Sequence, residues 1–305
     1  MRLLKRLALA VHRGGARLGV HVLPVHYYSS VADLRELERT RPLWARRSEL
    51  PGIAVDRPGQ CVRLREICLP YQAEYTGNAA YRGGVAGGFG PGYGYIEAQA
   101  LHAIVRHHRP RRIIEVGSGV STHCMLHALR QNVADGHAAS HLTCIEPHPS
   151  APLKALASEG AIELLAEPVQ GVAMARFEAL EAGDLCFIDS THAVKPGSDV
   201  NHLILEVLPR LRAGVIVHFH DIYLPYDYPR DVLRTLYHWQ ETALLRAFLI
   251  GNAGVRILFS LSQLHYDEPE TLREVFPEYV PQGDVDGMAT EPGGHFPAST
   301  YLRMG

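Results

Sequence analysis

The chain has no surplus of charge of either sign. Thirty Lys and Arg stand against 32 Asp and Glu in 305 residues, with a pI near 6.8. A dedicated nucleic-acid binder carries a basic excess, so the balance argues against that class. Cysteine is scarce: Cys61, Cys68, Cys124, Cys144 and Cys186 are odd in number and irregularly spaced, and no C-x-x-C occurs. That disfavours a disulfide framework or a zinc knuckle and points to buried, reduced thiols in a cytoplasmic protein. Long apolar runs are missing too. The N-terminal MRLLKRLALAVHRGGARLGVHVLP breaks at His12-Arg13 and has no small-residue cleavage site, so it does not read as a signal peptide. As a helix it would set Arg2, Lys5, Arg6, Arg13 and Arg17 around a leucine-rich stripe too short to span a bilayer. Such a helix suits the surface of the protein, a second subunit in a homodimer, or weak contact with an anionic membrane surface. No internal repeat is evident. What remains is a hydrophobic content of 47%, fitting one large core with a small appended region.

The most informative stretch is RRIIEVGSGVS, residues 111–121. Ile113, Ile114 and Val116 form a short apolar run suited to a buried parallel strand. Gly117 and Gly119 then allow a tight turn with bare peptide groups facing a ligand, and Val120 to Leu129 resumes at helical spacing. A dinucleotide fingerprint needs a third glycine, where this chain has Thr122. Glu115 is a poor neighbour for a pyrophosphate and a good one for a cationic group. In LTCIEPHPS, Glu146 closes the next apolar run, where a carboxylate can accept from both hydroxyls of a ribose.

These segments resemble the class I S-adenosylmethionine (SAM)-dependent methyltransferases, in particular the bacterial group called methyltransferase family 24. The resemblance rests on IIEVGSGVST, CIEPHPS and FIDSTHAVKPGSDVNHLILEVLPRLRAGVIVHFHDIYLPYDYP, and covers roughly residues 90–305. It implies SAM as cofactor, with Glu115, Gly117, Glu146, Gly119, Ser121 and Asp189 around it. It also implies an α/β, Rossmann-like fold: a seven-stranded, mostly parallel sheet of order 3-2-1-4-5-7-6 with helices on both faces and an antiparallel last strand.

The spacing agrees with that architecture. Strand-like runs fall at 112–116, 142–146, 161–166, 184–189 and 214–219, with helices near 120–131, 151–158, 171–181 and 199–211. A long helix is expected near 230–246, then an apolar run at 254–261 and a last strand at 298–304. Residues 1–90, broken by Pro24, Pro42, Pro51, Pro58 and Pro70, read as an N-terminal extension serving as lid or oligomerisation region before a methyltransferase domain at 91–305. The segment GGVAGGFGPGYG, 83–94, is too rich in glycine for a stable helix and reads as a mobile loop leading into a helix from Tyr95.

Ligands of open α/β sheets bind beyond the carboxyl ends of the strands. The reactive side chains lie there: Asp189 and His192 after the fourth run, and His218, His220 and Asp221 at the fifth. On the strand, His218 and His220 share one face, so both meet the site or one lies beneath it. Metal-dependent O-methyltransferases of the catechol type carry Asp after the fourth strand and Asp-Asn after the fifth. On that pattern Asp189 matches, and His220-Asp221 replaces the pair. An imidazole would favour a transition metal over magnesium, held by Asp189, His220 and Asp221 with His192. Without metal, Asp189, His192 and His220 would be the catalytic set, a histidine taking the proton of an attacking hydroxyl. Tyr223, Tyr226, Tyr228, His26, Tyr27 and Tyr28 are candidates to wall the acceptor, and Tyr93 and Tyr95 to sit in a lid.

The sequence therefore reads as an enzyme that methylates a small molecule, most simply on oxygen with nitrogen and carbon open, and the resemblance implies secondary metabolites or cell-surface sugars as its setting. Two rivals stand beside it. A noncatalytic SAM-binding module docking a partner would show an impaired cofactor loop, and this loop is intact. An NAD-dependent oxidoreductase would show the third glycine and a Tyr-x-x-x-Lys pair, and neither stands in the expected place.

Overall fold

The computed structural model describes residues 2–29 and 31–305. Its centre is a seven-stranded sheet: β1 (Arg112–Val116), β2 (His141–Ile145), β3 (Glu163–Leu165), β4 (Leu185–Ile188), β5 (Ile216–Phe219), β6 (Val255–Ser260) and β7 (Thr300–Met304). The order is 3-2-1-4-5-7-6, with β7 antiparallel between β5 and β6 and the first five strands parallel. A small hairpin, Asp284–Val285 with Met288–Ala289, stands apart from the sheet.

Because side chains alternate across a strand, β1 feeds two separate cores. Ile113 joins a layer with helices Arg57–Cys68, Tyr95–His108 and Val120–Ala134, while Ile114 and Val116 join one with Val200, Ile204 and Leu245 on the opposite face. The buried Asp184 carboxylate accepts the backbone N–H groups of Arg111, Arg112 and Glu181, tying the start of β1 to the turn before β4. The register pairs Val116 with Ile145 and Ile188, and Ile188 with Phe219. The next residue of each strand, Gly117, Glu146, Asp189 and His220, therefore lies at one level along the sheet edge.

Several elements differ from the sequence expectation. The glycine-rich stretch is partly helical: Ala79–Ala86 includes Gly83 and Gly84. A Cβ on Gly84 would lie 2.8 Å from Val120 Cγ2, so glycine here permits two helices to approach closely, and packing outweighs its low propensity. The helix expected over 171–181 is confined to Met174–Glu178. That expected over 199–211 starts at Asp199 under a Ser198 cap, widens into a π turn at Leu203–Val207 and tightens at Leu208–Arg210. Pro209, without an N–H to donate, breaks the regular ladder there. Instead of a long helix at 230–246, turns run to Gln240 and the helix is Glu241–Leu249. Leu236 and Tyr237 stay exposed, whereas Leu245 and Leu249 find the sheet; the helix forms where it has a core to bury against. All five cysteines are buried and unpaired. No helix among the described residues is long and apolar enough to cross a membrane.

Candidate active site

Gly117 opens the loop after β1 with φ +77°, and a Cβ there would collide with the carbonyl oxygen of Asp189. Only glycine satisfies both conditions. Glu115, expected beside the cofactor, is fully buried beneath the loop. Its carboxylate accepts from Ser121 Oγ at 2.7 Å, Thr122 Oγ1 at 2.6 Å and Cys144 Sγ at 3.2 Å. Thr122 in turn accepts the Gly119 N–H, so Glu115 and Ser121 shape the loop from within. Burial, only partly offset by those donors, raises the Glu115 pKa to about 7.

Glu146 accepts the N–H groups of Ser118 and His148 and borders a cavity of about 350 Å³ together with Gly117, Gln170, Asp189 and Thr191. This cavity lies over β1, β2 and β4. A second, of about 480 Å³, lies off the end of β5, walled by Tyr81, Tyr93, Tyr95, Tyr223 and Phe296 and floored by His220 and Asp221. Tyr226 and Tyr228 are not in it; they pack with Trp44 and Met288. His26 and Tyr27 line a separate depression with Leu23, Val31 and Leu34, and Tyr28 is exposed.

Between the two cavities four side chains meet. His192 Nε2 lies 3.3 Å from Asp189 Oδ1 and 3.6 Å from Asp221 Oδ2, and His220 Nε2 lies 3.8 Å from Asp221 Oδ1. His192 and Asp221 both hold positive φ, +58° and +52°, a conformation that costs a non-glycine residue about 1 kcal/mol or more and recurs at functional sites. Burial opposes charging of His192, but Asp189, Glu241 and Asp221 prevail and raise its pKa well above the ordinary value. His220 is raised in the same way: burial is outweighed by Asp221, Asp189 and Glu97. Its Nδ1 is buried without a partner. His218 lies beneath. It stacks on Phe187 at 4.2 Å, its Nε2 stands 3.2 Å from the Tyr93 hydroxyl and 2.9 Å from that of Ser299, and burial holds it neutral.

Three participants were not singled out from the sequence. Glu241, almost wholly buried, receives His192 Nδ1 at 2.7 Å and the Ser190 hydroxyl at 2.9 Å. Glu97 pairs with His295 and accepts the Ala298 N–H. Arg230 borders the aromatic cavity. Glu97 and Glu241 reach the site from the first turns of other helices, where a lone Glu reads as an ordinary dipole partner. Among the described residues no group of three or more His, Cys, Asp or Glu side chains has the arrangement of a metal site. As it stands, His192 Nε2 is turned to two carboxylates.

Residues 114–222 match the model of a methyltransferase domain family, Methyltransf_24. An uncharacterized protein of Archaeoglobus fulgidus is 29% identical over 171 residues, which span 52% of this chain and 73% of that one. Among solved structures, the plantazolicin methyltransferase BpumL, in complex with a pentazolic desmethyl analogue and S-adenosylhomocysteine (SAH), aligns with 81% of this chain and 97% of its own at 10% identity and a TM-score of 0.38. SibL, an S-adenosylmethionine-dependent methyltransferase in its apo form, aligns with 89% of this chain and 73% of its own at 15% identity and a TM-score of 0.27.

Proposed function

From a chain whose residues 114–222 carry a methyltransferase domain, we propose an enzyme that moves a methyl group from SAM to a hydroxyl of a small molecule. The observation that carries this reading is the row of strand ends. Gly117, Glu146 and Asp189 border one cavity, His220 and Asp221 floor the other, and Asp189, His192 and Asp221 join them.

In this reading SAM occupies the smaller cavity. Glu146 takes the ribose hydroxyls, the peptide groups of Gly117 to Gly119 face the amino-acid portion, and Glu115 and Ser121 hold that loop in shape. Asp189, which borders the smaller cavity and contacts His192, would stand between the cofactor and the acceptor. The acceptor hydroxyl gives its proton to His220, whose basicity is increased by Asp221, Asp189 and Glu97 once burial is overcome. Oxygen forms a bond to the methyl carbon as the carbon–sulfur bond breaks, and the electron pair leaves on sulfur as SAH. Positioning of the two reactants across the cluster supplies much of the acceleration. Within residues 1–90, Tyr81 reaches the acceptor cavity, which supports a lid role for that region.

One observation favours a metal-assisted variant. The Glu241 carboxylate on His192 Nδ1 has the form of an outer-shell support for a metal-binding imidazole. Asp189, His192, His220 and Asp221 would then be the ligands and a divalent ion would lower the pKa of the acceptor hydroxyl. The proton transfer is assigned to His220 on the carboxylates that raise its basicity; in the metal-assisted variant the ion would take over that role by acidifying the acceptor hydroxyl.

The test has two parts. Calorimetry with SAH should give saturable binding at one site per chain. With SAM and a panel of hydroxylated aromatic acceptors, mass spectrometry should detect a product heavier by one methylene, lost by about 100-fold or more in His220→Ala. Tight SAH binding with no product from a broad panel would favour the noncatalytic module. Metal content per chain, with and without chelation, decides between the base and the ion.

A further inference from the structure

Arg230 is the uncompensated charge of the acceptor cavity. Its side chain is buried, 7% exposed, yet it makes no ion pair within 4.0 Å among the described residues. Nη1 donates to the Tyr266 hydroxyl at 2.9 Å, and Nη2 to the carbonyls of Gln282 at 3.3 Å and Gly283 at 3.0 Å. All three acceptors are neutral. Nε has no partner. The guanidinium lies 4.3 Å from the centre of the Phe296 ring, which walls the same cavity.

The other charges there are already engaged. Glu97 is held by His295 and the Ala298 N–H, and Asp221 faces His192 and His220. Asp231 borders a neighbouring depression with Arg230, and no Arg230–Asp231 pair forms. A buried cation without a counter-charge is costly, and an anionic ligand group would relieve that cost while gaining charge-assisted hydrogen bonds. The geometry points to a subsite for a carboxylate: we propose that the acceptor is an aromatic carboxylic acid, its acid group at Arg230 and its ring against the aromatic wall that Tyr223, Phe296 and Tyr93 form. The hydroxyl to be methylated then faces His220. One guanidinium matches one negative charge, which favours a carboxylate over a phosphate. The cofactor also carries a carboxylate, but Arg230 does not border the cavity of Gly117 and Glu146. This inference rests on the larger cavity being the acceptor site.

The experiment is calorimetry on full-length protein saturated with SAH, using benzoate, phenylacetate and 3,4-dihydroxybenzoate against their primary amides. At least one acid should bind about tenfold or more tightly than its amide. Arg230→Gln should erase that preference and leave SAH affinity unchanged, while Arg230→Lys should keep part of it. Equal affinity of every acid and amide in the unaltered protein, or binding of none, overturns the proposal. So does an acid preference that persists in R230Q. Weakened SAH binding in R230Q, with no acid preference in the unaltered protein, would assign the guanidinium to the cofactor's carboxylate and also overturn it. Failure of SAH to bind the unaltered protein would instead count against the methyltransferase reading. The acid and amide comparison would then be made without SAH, on the same criterion.

Discussion

Glu115 is fully buried beneath the loop after β1. Its position before G-x-G suggested a ligand contact, whereas its oxygens serve Ser121, Thr122 and Cys144. A consequence follows for stability. Its folded pKa, about 7, lies above the unfolded value of 4.5 because burial disfavours the charge. The folded protein therefore binds this proton more tightly than the unfolded chain, and the contribution is full below about pH 4.5 and lost as pH rises through about 7. Glu115→Gln, which mimics the protonated group, should remove that dependence. Thermal unfolding of both proteins from pH 5 to 8 should show the variant gaining on its parent by about 2–3 kcal/mol as pH rises. A constant difference across the range would mean that Glu115 is not protonated in the fold.

At the scale of elements, the site is built by strand ends and sealed by a helix. The register of β1, β2, β4 and β5 brings Gly117, Glu146, Asp189 and His220 into line, and helix Glu241–Leu249 supplies the carboxylate beneath His192. The hydrogen bond from Gln240 N–H to the His192 carbonyl fixes the same junction. Glu241→Ala would leave His192 buried beside Asp189 and Asp221 without its Nδ1 acceptor. Breaking a buried pair of this kind costs about 3–5 kcal/mol. Urea unfolding should register a loss of that order, and the amides of residues 189–192 should exchange faster. A cost below about 1 kcal/mol would mean that the helix is held by its Leu245 and Leu249 face alone.

For the whole molecule, a cofactor that binds the native state shifts the unfolding equilibrium by mass action. At SAH a hundredfold above its dissociation constant the gain is about 2.7 kcal/mol, or roughly 5 °C in a chain of this size. That shift should vanish in Gly117→Ala, where the new methyl collides with the Asp189 carbonyl and the loop after β1 must move off β4. An unchanged shift in the variant would place SAH elsewhere. The two cores on opposite faces of the sheet make this coupling global, because β1 contributes to both.

Much of this was legible in the residues. Apolar runs closed by acidic or glycine residues located β1, β2, β4 and β5 within a few positions. The order of elements gave the parallel sheet with its antiparallel last strand, because hydrophobic periodicity and chain connectivity act locally and along the chain. The same logic singled out Asp189, His192, His220 and Asp221 as candidates: Asp189 and His220 directly follow β4 and β5, and His192 and Asp221 lie in the loops just beyond. What the sequence could not convey was which of two histidines on one face lies under Tyr93 and which opens to the cavity. It was equally silent on Gly84 serving a helix contact, and on the helix after β5 starting only at Glu241. Glu97, Glu241 and His295 join the site from other elements of the chain, and Arg230 from the loop after β5, through burial, charge pairing and side-chain packing. Sequence determined where the strands end and what chemistry they carry; only the tertiary structure decided which distant side chains face that chemistry, because burial and pairing depend on neighbours in space.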